Sequence, residues 1–134
     1  MVGLRVRLVL TSEVLSAEQI KQHVGLAPDR TWRKGELRGA YRGATRGPVF
    51  EHHGCELIEE SVDGKVSIDA LVARLLHRLS GREAAIASLP DVVDRELAIS
   101  ANLASEPRPW IFLSRRSVGA IADLGCELDF DYYP

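Results

Sequence analysis

The stretch "KGELRGAYRGATRG", residues 34–47, sets a basic residue beside a glycine every four positions: Lys34-Gly35, Arg38-Gly39, Arg42-Gly43 and Arg46-Gly47. A cation next to an exposed backbone N–H is a combination that holds phosphate, as in the Arg-Gly segments of RNA-binding proteins. The spacing is not a Walker loop, because no Gly-Lys-Ser/Thr follows the first glycine, and it is not GxGxxG. Trp32 and Tyr41 are the rings that could stack a base beside it. Three uses of the repeat stay open, in descending order: a flexible solvated loop, a surface for an acidic protein, and a site for single-stranded nucleic acid or phosphate.

A second cluster is "EHHGC", residues 51–55. On a strand His53 and Cys55 share a face and His52 points away, so the stretch offers at most two ligands where a structural zinc site needs four. Cys126, His23 or His77 would have to complete the set through the fold. Cys55 beside two imidazoles, the neighbours Glu59 and Glu60, and the acidic series Glu127, Asp129 and Asp131 are the remaining groups that could do chemistry. Catalysis would require a depressed thiol pKa or one desolvated carboxyl. A solvated sheet face accounts for the acids more simply, and buried packing accounts for the cysteines. No catalytic residue, metal or cofactor is assigned.

These residues are positioned by a regular succession of elements. Leu4, Val6, Leu8 and Leu10 alternate with Arg5 and Arg7, the period of a strand with one wet face. Ser16 and Gln19 form a capping box for a helix that carries Ile20 and Val24 and stops at Gly25. Residues 29–48 show no apolar period and read as a basic Arg-Gly loop. A strand is expected around Cys55 to Ser61, followed by a turn at Asp63-Gly64. Ser67 caps the strongest helix, with Ile68, Leu71, Val72, Leu75, Leu76 and Leu79 on one stripe. Ser80 and Glu83 predict a second capping box and a short helix ending before Pro90. Val93, Leu97, Ile99, Ala101 and Leu103 mark another strand, "EPRPW" a connection, and "WIFLS" a short extra strand. Ser114 or Ser117 caps a last helix, and a closing strand turns Cys126, Leu128, Phe130 and Tyr132 inward.

The order strand, helix, strand, helix, strand, helix, strand implies an α+β fold. It has a mainly antiparallel sheet of four to five strands and helices on one face, ferredoxin-like or related. Arg5 and Arg7 would meet Glu127, Asp129 and Asp131 if the first and last strands are neighbours. The 134 residues fit a single domain, with 46% apolar and 27% charged residues, values ordinary for a soluble globular chain. The net charge of -2 predicts no global attraction to nucleic acid or membrane. No apolar run is long enough for a membrane span and no signal-peptide pattern follows the first strand, so a cytoplasmic protein with reduced cysteines is expected.

"LAPDRTWRKGE", "LVARLLHRL" and the ending "SVGAIADLGCELDFDYY" together resemble the bacterial family of unknown function DUF4279, from the first strand to the last residues. The resemblance touches Thr31, Trp32, Gly35, Phe130 and Tyr132 and assigns none of them a catalytic role. It implies a sandwich of the same outline and no enzymatic activity. Members placed in toxin and immunity neighbourhoods further imply protein binding. The Arg38–Gly47 extension is a departure, and "GCELIEES" stands where relatives often carry a tryptophan-containing strand. The combined expectation is a non-enzymatic binding domain that recognises an acidic protein, as an immunity-type inhibitor would, through Trp32, Arg33, Lys34, Arg38, Tyr41, Arg42 and Arg46. Single-stranded nucleic-acid or phosphate binding through residues 33–46 is the alternative, and a small hydrolytic enzyme the second alternative.

Overall fold

The computed structural model describes residues 3–102, 104 and 110–133. In chain order the elements are β1 (Leu4–Ser12), α1 (Ala17–Val24), β2 (Arg30–Trp32), a 3-10 turn (Ala40–Arg42), β3 (His53–Ser61), α2 (Ile68–Arg78), α3 (Glu83–Ala87), β4 (Asp94–Asn102), α4 (Arg115–Asp123) and β5 (Glu127–Tyr133). The class is α+β: one five-stranded sheet in the order β2-β3-β1-β4-β5 with the helices on one face.

The core follows from the period of β1. Leu4, Val6, Leu8 and Leu10 are buried on its helix side, beside Leu57 of β3 and Leu97 and Ile99 of β4. Ile20 and Val24 of α1, Ile68, Leu71 and Leu75 of α2, and Ile121 and Leu124 at α4 close over them. Each such side chain gains roughly 1.5–3 kcal/mol from leaving water, so this layer holds helices and sheet together. Helix starts are set by side chains: Ser16 accepts from the Gln19 N–H while Gln19 returns the bond, and Ser67 and Ser114 accept from the Ala70 and Ser117 N–H groups.

Five expectations are corrected. The terminal strands are not neighbours, because both flanks of β1 are taken by antiparallel β3 and β4. A helix between β4 and β5 returns the chain to the same end of the sheet, so β5 runs parallel to β4 at the edge. The inward row of β5 is only half covered there: Leu128 is 41%, Phe130 38% and Tyr132 43% exposed. Residues 110–114 form no strand; the chain there leads directly into the Ser114 cap. The expected Ser80–Glu83 capping box is absent, since α2 runs into tight turns at Ser80 and Arg82, and Glu83 instead accepts from the adjacent Arg82 N–H. Leu103 and most of "EPRPW" lie outside the described residues.

The fifth correction concerns residues 29–48, which are not a featureless loop. Arg30–Trp32 pair with Gly54–Glu56 as the sheet's outermost strand. Beyond it the chain doubles back as a hairpin: Gly35 N–H donates to Phe50 O, Phe50 N–H to Glu36 O, and Arg38 N–H to Pro48 O. The 3-10 turn ends at Gly43, whose φ of 84° favours glycine, and Gly35 and Gly47 are likewise at positive φ. Three of the four glycines in the basic repeat therefore serve turns.

Candidate functional site

The open face of the sheet is built from the residues between the core positions. Arg7 and Val9 of β1, Glu56 of β3, Arg30 and Trp32 of β2, and Glu96 of β4 all point to it, as alternation requires. Glu56 is the most deeply placed: its side chain is 1% exposed and lies between Arg7 Nη1 and Arg30 Nη2, each at 3.1 Å. A buried carboxylate requires such partners, and the two guanidiniums supply them. Arg7 Nε is itself buried beside the cleft and has no hydrogen-bond partner among the described residues.

Trp32 lies across Gly54, its opposite number on β3, and Phe50 stacks on the indole at 4.7 Å between ring centroids and 15° between planes. This stack pins the hairpin to the sheet. Arg30 lies 4.3 Å from the centre of the Tyr41 ring and 5.5 Å from that of Trp32; Arg42 covers Tyr41 at 4.9 Å, and Arg38 covers Phe50 at 5.6 Å. Each exposed cation–π contact contributes roughly 0.5–1 kcal/mol, so the basic residues help to hold the loop they belong to. Between hairpin and sheet opens a cleft of about 420 Å³, with Arg7, Val9 and Glu56 on its floor, Trp32 and Tyr41 in its wall and Glu96 on the far side.

The expected site residues divide. Arg33, Lys34, Arg38, Tyr41, Arg42 and Arg46 are exposed on the hairpin. Trp32 is 6% exposed, so its surface is spent on Phe50 and Gly54, and the expectation that it supplies contact area is corrected to a positioning role. Arg7, Arg30, Phe50, Glu56 and Glu96 belong to the cleft and were not among the expected site residues. The strand parity that turns Cys55 and Leu57 inward was the available signal for Glu56 and, across β1, for Arg7.

The metal-like and nucleophilic groups do not converge. His53 Nδ1 accepts from the Lys34 N–H, and His52 lies 3.8 Å from Glu13. Cys55 faces the helices, where burial and the neighbouring Glu56 push its thiol up to about 11; burial pushes Cys126 to about 11 as well. No group of three or more His, Cys, Asp or Glu among the described residues could hold a metal ion. Burial, then the nearby Asp129 and Glu127, raises the Glu96 carboxyl above its ordinary value.

The family described as Domain of unknown function (DUF4279) matches residues 3–134, and the chain belongs to that family. No curated protein and no solved structure gives a significant match. No described helix is long and apolar enough to cross a membrane.

Proposed function

We propose that this chain is a non-catalytic binding domain whose basic hairpin and adjoining cleft recognise an acidic protein surface. The observation that carries the reading is the docked hairpin itself, with Arg33, Lys34, Arg38, Arg42 and Arg46 exposed on a loop anchored by the Trp32–Phe50 stack. A loop already ordered loses little further freedom on binding. Tyr41 is 55% exposed with Arg30 and Arg42 over its ring, and its exposed rim supplies the apolar contact that charge alone lacks. An immunity-type inhibitor acting in the cytoplasm is the form of this reading that the family resemblance favours.

Nucleic acid fits the ring geometry less well. Single-strand binders offer open aromatic faces to bases, whereas Arg30 and Arg42 already lie over Tyr41, and Phe50 covers Trp32. The hydrolytic reading needs a pocket where Cys55 or an acidic pair meets a histidine; Cys55 faces the helices, and in the cleft the Glu56 carboxylate is held by Arg7 and Arg30 rather than by His52.

Pull-down from native lysate compares the wild-type chain with an Arg38→Ala, Arg42→Ala, Arg46→Ala triple variant. A partner retained by the first and lost by the second supports the hairpin; identical partners remove it from consideration. A parallel titration with single-stranded DNA at about 50 mM salt, where phosphate-driven binding is strong, separates the two readings. Tight binding there would favour the nucleic-acid reading.

A further inference from the structure

Among the described residues β5 pairs with a strand on one side only. Its parallel partner β4 takes up alternate backbone groups, which leaves every second N–H and C=O of the strand directed away from the sheet. Among the described residues no strand pairs with that side. The two faces of β5 differ in character. Leu128, Phe130 and Tyr132 continue the rows of buried Leu97, Ile99 and Ala101 out to the edge, where they are left half exposed. Glu127, Asp129 and Asp131 line the opposite face, and none of them pairs with a cation among the described residues.

The molecule contains the complement of this pattern. On β3, Glu60 and Glu56 meet Arg5 at 2.8 Å and Arg7 at 3.1 Å from the neighbouring β1, while Leu57 and Leu8 pair on the other face. β1 thus answers an acidic and apolar strand with alternating basic and apolar residues. β5 presents the acidic and apolar half of the same arrangement, with no strand beside its outer edge among the described residues.

We infer that the outer edge of β5 takes up an extended segment of another protein in which basic and apolar residues alternate, adding a strand to the sheet. Backbone pairing would supply affinity, and the alternation of charge and apolar surface would set register. A second copy offering its own β5 would place carboxylate opposite carboxylate. The other sheet edge, β2, spans only three residues, and its Arg30 is engaged with Glu56 and Tyr41.

The probe is a fluorescently labelled peptide of seven residues, the length of β5, alternating arginine and valine. Saturable binding is expected, with backbone NMR shifts centred on β5 and β4. Methylating alternate peptide amides, in both registers, leaves the charge unchanged; in the register that blocks pairing it should weaken binding about tenfold, a loss of ~1.4 kcal/mol. Reversing charge in an Asp129→Lys, Asp131→Lys variant should cost about tenfold too, because each favourable cross-strand pair becomes a like-charge one. Absence of binding overturns the proposal. So do equal affinity of the methylated peptides, shifts centred on the basic hairpin, or a free chain that sediments as a dimer with its β5 amides already protected.

Discussion

A Cβ added to Gly54 would fall 2.5 Å from Cζ2 of Trp32, closer than carbon atoms approach without displacement. The strand is therefore bare at one position so that the indole can lie flat on it, and the hairpin docks on the indole through Phe50. Gly54→Ala should destabilise the fold by about 1–3 kcal/mol through overpacking. Trp32→Ala should cost about 3 kcal/mol by leaving a void. Urea denaturation measures both. In a Trp110→Phe background, which removes the exposed tryptophan, a red shift of Trp32 emission in Gly54→Ala would report the ring lifting from the sheet.

Glu56 holds Arg7 and Arg30, two arginines that line the cleft. Glu56→Ala leaves Arg7 and Arg30 facing each other without the carboxylate between them. Removing one partner of a buried pair costs about 3–5 kcal/mol when both are fully enclosed; with both arginines partly solvated, about 2–3 kcal/mol is expected. Glu56→Leu should recover little of this, since the two cations would remain. Urea midpoints of the two variants decide the matter.

Asp29 ties the entry to β2 to α2. Burial pushes its carboxyl up, but the Arg78 hydrogen bond, the Ile58 N–H and the Arg78 charge outweigh that and leave it below its ordinary value. A carboxylate lowered in the folded state stabilises above the unfolded pKa of about 3.9, and the contribution fades as pH falls through the folded value. Arg78→Met should therefore lower stability by about 1 kcal/mol at neutral pH, a figure limited by solvent around the pair. The difference from wild type should shrink in acid. An Arg78→Met penalty unchanged at low pH would show that the lost Arg78 bond to Ile58 O, and not the ion pair, is responsible.

Glu96 shows the opposite sign. It lies directly across from Glu127 and beside Asp129, and its raised carboxyl means that the folded chain binds this proton more tightly than the unfolded chain does. Stability contributed by Glu96 is present in acid and declines as pH climbs from about 4.3 through the folded value. Glu96→Gln should stabilise the protein at neutral pH by roughly 0.5 kcal/mol, the scale of one like-charge cross-strand pair. Calorimetric melting across pH would show it, with the gain disappearing at low pH.

The elements with long apolar periods were legible from their residues. β1 alternates without interruption, and α2 places Ile68, Leu71, Val72 and Leu75 on one stripe, so local pattern and tertiary burial agree. β2 was not legible because three residues carry no period, and its strand character comes from pairing with Glu56, Cys55 and Gly54. Strand order failed for another reason. Arg5 and Arg7 are complementary both to Glu56 and Glu60 and to Glu127, Asp129 and Asp131, so charge matching is degenerate; the return of the chain through α4 decides which acids they meet. At the site the basic residues were visible as a repeat, whereas the ring stack that orders them joins Trp32 to Phe50, eighteen positions apart, and leaves no mark in either segment alone.

The strand at the centre of the sheet precedes both of its neighbours in the chain. β1 borders β3 and β4, so Leu4 waits for Ser61 on one flank and for Ala101 on the other before it is enclosed. A nascent chain halted near Pro90 would hold one finished border of β1 and one bare, greasy border open to any passing strand. Such long-range closure slows folding and invites mispairing, which makes the span between α3 and β4 the interval in which a holdase chaperone would matter most.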